Sequence, residues 1–298
     1  MSLPTNPKNK KLIVLALISA TASVLFSFMG SPFLRAFAAS AKSYVFWLTG
    51  LVLIGLMFAT GSQNYKVSET AVYVGAIWMT LGSYSELEKR GIKWKFAMPT
   101  SLVLGLLFAL AGYFLVLKNL SADHSLIELV APLHEALTKA FPSISLEQSD
   151  LISYLPGIFL ASLAGSLGLG FVFEANVFRM FRLKRERIAS SLRWLEFRLP
   201  DFAVWLTLFA ILFTVENFGF KPLQTVGINW LVVASVGLFF QGLTVIEFMI
   251  RFYRLGLFTR TAIYLLIVLQ LAPFVVLVGL VDYWADFRKL VRKKLKTT

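Results

Sequence analysis

The sequence predicts an all-α protein, a polytopic transmembrane helical bundle of about eight spans forming one integral membrane domain over residues 1–298. Three observations predict it. Hydrophobic residues make up 57% of the chain and charged residues 15%, against roughly 45–50% and about 25% in soluble domains. The apolar residues fall in blocks, and a nearly uncharged block of about 18 or more residues crosses a bilayer as a helix. The basic residues collect in short connections between those blocks, where membrane topology places them.

The first block, residues 11–30, follows Lys8, Lys10 and Lys11. Ala20-Thr21-Ala22 resembles a small-residue cleavage site, but the apolar run continues through Leu25, Phe26, Phe28 and Met29, longer than a signal core, so a retained helix is expected. Ala16 and Ala20, four apart, permit close approach of another helix. Blocks at 43–62, 68–84 and 97–117 follow, the third of the chain being the shortest.

Residues 118–151 differ in composition, with Asp123, Glu128, Glu135, Glu147 and Asp150 against Lys139 alone. Leu126, Leu129, Val130, Leu133, Leu137 and Phe141 recur at helical spacing. The segment therefore reads either as an acidic amphipathic cap on the outer membrane surface or as a plain connector. Ser145 followed by Gln148 resembles a capping box, and Pro156 suits the first turn of the fifth span, 152–178. Near the end of that span lie Glu174, placed to pair with Arg179 or Arg182, and Asn176. Small residues on several of its faces (Ala161 and Gly165, Ala164 and Gly168, Ser162 and Ser166) point to close packing within the protein. The last three blocks are 200–217, 227–250 and 260–281.

Orientation follows from Lys and Arg. Residues 179–198 carry Arg179, Arg182, Lys184, Arg185, Arg187, Arg193 and Arg198 and read as a basic cytoplasmic loop. Lys89, Arg90, Lys93 and Lys95 place the loop before the fourth span on the same side, as do Arg251, Arg254 and Arg260 between the last two spans. The expected location is the bacterial cytoplasmic (inner) membrane, multi-pass. Eight simple spans would put both basic termini outside. A re-entrant early segment would bring the first one back.

The net charge of +13 belongs to these loops and not to a basic stripe on a polar domain, so lipid headgroups and no nucleic acid are expected as its partner. The chain has no cysteine, and its only histidines, His124 and His134, lack zinc-ligand spacing, so no metal site is expected. Walker A, nucleophile-elbow and Rossmann glycine patterns do not occur, so neither an enzyme nor a cofactor is expected. Polar side chains inside spans are costly and mark candidate sites. Gln241 and Gln270 fall at similar depth in the last two spans, placed to meet or to face a shared polar cavity. Pro273 should kink the helix beside Gln270. The candidate substrate-binding residues are thus Gln241, Gln270, Asn176 and Glu174; interhelical hydrogen-bond glue is the other reading of the glutamines. Glu247 and Arg251 are spaced for an intrahelical ion pair, and Asp282, Asp286 and Arg288 form either an ordered charge cluster or a solvated helix end.

From the fifth span onward the sequence resembles the YybS-like family of bacterial membrane proteins. The likeness rests on Leu155-Pro156-Gly157, on Phe197-Arg198-Leu199-Pro200, on Asn229, on Phe240-Gln241-Gly242-Leu243-Thr244-Val245-Ile246, and on Gly279-Leu280-Val281-Asp282-Tyr283-Trp284-Ala285-Asp286-Phe287-Arg288. It covers roughly residues 145–290. That family is similar in build to the S components of energy-coupling-factor transporters, which implies capture of a small molecule in concert with an ATPase module. S components dock a partner through an Ala-x-x-x-Ala pattern on the first helix, which Ala16 and Ala20 match. The alternative is a non-transport membrane scaffold or assembly partner. A membrane enzyme acting on a lipid, using Glu174, Glu247, Asp282 and Asp286 together, is the third reading.

Overall fold

The computed structural model describes residues 7–61, 65–117, 126–140, 147–185, 192–215 and 220–297, and among these residues it is helical with no strand. Five segments are long and apolar enough to cross a membrane: Lys10–Ser40, Ser43–Gly61, Trp94–Leu115, Gln148–Met180 and Lys221–Phe252. Asp201–Val215, Leu257–Leu266 and Ala272–Ala285 are shorter apolar helices. The chain divides into two compact units, Met1–Ser191 and Leu192–Thr298.

In the first unit, α1 (Pro7–Phe26) ends where Ser27 takes a left-handed φ of 47°, followed by a 3-10 turn, Ser27–Gly30. The chain then reverses. A Cβ on Gly30 would lie 2.6 Å from the Ala22 carbonyl carbon, whereas eight residues of straight helix rise about 12 Å. The ten-residue α2 (Ser31–Ser40) therefore runs back along α1, and it packs on two further helices, α4 and α7 below. Lys11 Nζ lies 3.5 Å from Arg182 O and Lys89 Nζ lies 3.3 Å from Ala41 O. The start of α1 and the end of α2 thus lie at the same level as the basic ends of the later helices.

α3 (Ser43–Gly61), α4 (Tyr65–Lys89) and α5 (Trp94–Gly112, extended by a π turn, Tyr113–Leu117) pack in sequence. α4 is the block that the sequence marks as weakest, and it is not among the five apolar spans. It is instead the centre of the unit. From Ala71 to Ser85 every residue but the half-buried Tyr73 and Met79 is buried. A helix enclosed by protein needs no lipid-compatible face, so Ser68, Thr80, Ser83 and Ser85 are accommodated inside. α6 (Leu126–Ala140) is the amphipathic helix expected from the spacing, with Val130 buried and α6 packed on α7 (Gln148–Met180). Ser145 lies outside the described residues. α7 starts at Gln148, so Pro156 sits in its interior instead of its first turn. Ala161, Ser166, Gly168 and Gly170 of α7 are buried, so its small residues serve packing inside the unit.

In the second unit, α8 (Asp201–Val215) and α9 (Lys221–Phe252) pack together. The last predicted block is not one helix. α10 (Leu257–Leu266) passes into a π turn, Ile267–Leu271, and then into α11 (Ala272–Ala285), with Pro273 in the first turn of α11. Gln270 lies within the π turn, so the irregular backbone expected beside Pro273 is a change of helical register. α9 and α11 cross at contact distance. A Cβ on Gly279 would sit 2.0 Å from Leu238 O, and one on Gly242 would sit 2.0 Å from Val275 O. A left-handed Asp286 (φ 43°) then turns the chain into α12 (Phe287–Thr297).

Candidate functional site

Within the first unit, α2 carries a fully buried arginine. Arg35 is 0% exposed, and its stem rests on Gly170 of α7, where a Cβ would lie 3.2 Å from Arg35 Cβ. Its Nη1 donates to Ser85 Oγ (2.5 Å) and its Nη2 to Glu88 Oε2, both on α4. Its Nε lies 3.9 Å from Glu174 Oε1 on α7. Arg185, in the turn after α7, closes the group, with Nη2 3.3 Å from Glu88 Oε1 and Nε 3.0 Å from Glu174 Oε1. Two cations and two anions thus form a neutral quartet joining α2, α4 and α7. The guanidinium carbon of Arg35 lies 5.0 Å from the Tyr84 ring centroid and 5.3 Å from that of Phe171, so the charge is walled by aromatic faces. Unmet donors remain. Arg35 Nε, Tyr84 Oη and, one turn back on α2, Ser31 Oγ are buried with no hydrogen-bond partner among the described residues.

The second unit holds a closed polar network. Gln241 of α9 is 0% exposed. Its Oε1 accepts from Leu199 N–H (2.8 Å), while its Nε2 donates to Gly279 O (2.9 Å) and approaches Asp282 Oδ2 (3.5 Å). Arg288 donates to Asp282 Oδ2 (2.8 Å), Leu195 O (3.1 Å), Phe197 O (3.0 Å) and Thr244 Oγ1 (3.4 Å). Asp282 Oδ1 accepts from Phe287 N–H (3.0 Å). Arg198 donates to Tyr283 O and lies 3.5 Å from Asp286 Oδ2. The ordered cluster, not the solvated helix end, is what forms. The three stretches around Phe197, Gln241 and Asp282 meet at this one place.

The predicted site residues are therefore distributed as follows. Gln241 is buried as interhelical glue and Gln270 is exposed, so the two amides neither meet nor share a cavity. Asn176 is exposed. Glu174 is buried, and its ion pairs run to Arg35 and Arg185 instead of to the expected Arg179 or Arg182. Ala16 and Ala20 are half-buried, beside the buried Leu15, Ser19, Ala22 and Ser23. Glu247 pairs with Arg251 (2.7 Å) as its spacing predicts, and also with Arg260 (2.8 Å) and Tyr264 Oη (2.6 Å). Within their own units Glu174, Glu247 and Asp282 are each ion-paired to arginines. His124 lies outside the described residues, among which no group of three or more metal-type ligands occurs.

Sequence reasoning missed Arg35, Tyr84 and Glu88. Arg35 falls between the first two predicted blocks and Glu88 beside Lys89, so both read as loop charges. A signal was present: Arg35 is a single charge set between Pro32-Phe33-Leu34 and Ala36-Phe37-Ala38.

One family model matches the chain, that of DUF2232, described as a predicted membrane protein, over residues 12–283. Neither the curated proteins nor the solved structures gave a match.

Proposed function

The chain belongs to this DUF2232 family of predicted membrane proteins, and from that premise we propose that it is a small-molecule-binding subunit of a transport system in the bacterial cytoplasmic membrane. The reading is S-component-like: the chain captures the molecule, and an ion gradient or a separate ATPase module supplies the energy. A single observation carries it. Ionisable groups inside a membrane protein are expensive, and at the Arg35 quartet Arg35 Nε and Tyr84 Oη are buried donors that make no hydrogen bond among the described residues, Arg35 Nε having only the 3.9 Å ion pair with Glu174 Oε1. Arg35 Nε–H and Tyr84 Oη–H, set in a neutral quartet, suit a small polar molecule bearing a carbonyl or carboxylate oxygen. Glu88, Glu174 and Arg185 hold Arg35 in place. Ala16 and Ala20, at the edge of the buried face of α1, are the docking stripe for the partner in this reading.

The experiment is native mass spectrometry of the detergent-purified chain, wild type against Tyr84→Phe and Arg35→Lys. Retention of a small molecule by the wild type, lost in both variants, supports the reading. A stability measurement separates it from the bland case. An unmet buried hydroxyl costs about 1–3 kcal/mol, so Tyr84→Phe stabilises a chain in which Tyr84 serves nothing. It destabilises one in which the hydroxyl holds a ligand. Stabilisation together with an empty wild type sinks the proposal, and co-purification of a stable protein partner without any small molecule favours the scaffold.

A further inference from the structure

The second unit carries an apolar groove with a cationic rim. The groove, about 340 Å³ and open on one side, is lined by Val245 and Met249 of α9, by Tyr253 just after it, and by Ile263 of α10, Val278 of α11 and Phe287 of α12. Its rim is basic. Arg254 lies between two lining residues, is exposed, and holds a left-handed φ of 50° that ends α9. Lys289, two residues beyond Phe287, is exposed, and the Arg292 guanidinium lies 5.5 Å from the Phe248 ring. Arg251 and Arg260 are engaged by Glu247, but Arg254 and Lys289 have no acidic partner among the described residues. α12 continues the charge with Lys293, Lys294 and Lys296 and contains no acid.

We infer that this groove is a binding site for one anionic phospholipid of the surrounding bilayer, an acyl chain lying in the groove and the phosphate held by Arg254 and Lys289. The wall is hydrocarbon, and the neighbouring Leu257 (81% exposed) and Phe258 (88% exposed) form a surface that only a membrane would cover. A water-soluble ligand would meet no polar group inside. Charge complementarity selects among lipids, because each Lys or Arg near a headgroup adds about 1 kcal/mol, about fivefold in affinity, toward an anionic one.

The test is native mass spectrometry of the full chain released from nanodiscs containing phosphatidylglycerol and phosphatidylcholine in equal parts. Wild type should retain one phosphatidylglycerol in preference to phosphatidylcholine. Arg254→Gln with Lys289→Gln should reduce that preference by about 25-fold, two fivefold losses combined. Ile263→Trp, which fills the groove and leaves both cations in place, should abolish retention. Added inorganic phosphate should not displace the lipid, whereas displacement would reassign the rim to a free anion and overturn the proposal. Equal retention of both lipids, or a preference unchanged in the double variant, also overturns it. If Ile263→Trp fails to fold, the charge variants decide alone, because both lie on exposed side chains.

Discussion

Replacing Arg288 by methionine keeps the length of the stem and removes the guanidinium from the second unit. Arg288 is 7% exposed and Asp282 is 0% exposed, so the change leaves a buried carboxylate without its cation. Asp282 would retain only the Phe287 N–H at 3.0 Å and the Gln241 amide at 3.5 Å, and the carbonyls of Leu195 and Phe197 would lose a donor. Breaking a buried ion pair from one side costs about 3–5 kcal/mol, most of it the cost of the stranded charge. Equilibrium unfolding in mixed micelles should therefore show a loss of that size. Asp282→Asn removes the stranded charge, so the double variant should be more stable than the sum of the two single losses predicts, with a coupling of about 1–3 kcal/mol. The side chains of the pair are 9% and 1% exposed, so added salt should leave that coupling unchanged. A loss under about 1 kcal/mol, the range of a solvated surface pair, would refute the reasoning, as would strictly additive variants.

The two glutamines should separate cleanly in the same assay. Gln241→Leu strands Leu199 N–H and Gly279 O and should cost about 1–3 kcal/mol, whereas Gln270→Leu, on an exposed side chain, should stay within about 0.5 kcal/mol. Gly279→Val should be worse than Gly279→Ala. A Cβ there already lies 2.0 Å from Leu238 O, so both force α9 and α11 apart, and proteolysis of the linker regions should rise with the loss of stability. Tyr264→Phe removes a 2.6 Å hydrogen bond to the buried Glu247 carboxylate and should cost about 1.5–3 kcal/mol; no change would mean that Arg251 and Arg260 suffice alone.

Hydropathy located the apolar helices and gave only its shortest block to the one that protein encloses. Block 43–62 became Ser43–Gly61 and block 200–217 became Asp201–Val215, because a lipid-facing segment must be apolar along its whole length. α4 escaped that rule. It is surrounded by α2, α3, α5 and α7, and its polar side chains bond inside the unit: Thr80 and Ser83 to the preceding turn, Ser85 to Arg35. α2 was missed for a related reason. Ten residues are too few for a span, and a stretch between two blocks is read as a loop whatever its composition. What turns it into a buried helix is the reversal at Ser27–Gly30, a tertiary event resting on the close approach of Gly30 to Ala22. Arg35 then enters the interior as a loop charge never would. Neither Glu88 nor Arg185 is near it in sequence, so no spacing rule links the three.

Several residues of the second unit leave few alternatives to their side chains. Gly242 and Gly279 are fixed because any side chain would collide with the backbone of the facing helix. Gln241 is fixed because its amide is shaped to accept from Leu199 N–H and donate to Gly279 O at once, which neither leucine nor glutamate does. Asp286 supplies the left-handed turn that brings Arg288 back over Asp282, and Arg288 in turn ties down the carbonyls of Leu195 and Phe197. Each of these constraints concerns how the chain holds itself. Chemistry directed outward has to be sought where capacity is left over. In the first unit that is the Arg35 and Tyr84 donors, and in the second it is Arg254 and Lys289, which have no acidic partner among the described residues, near a hydrocarbon groove.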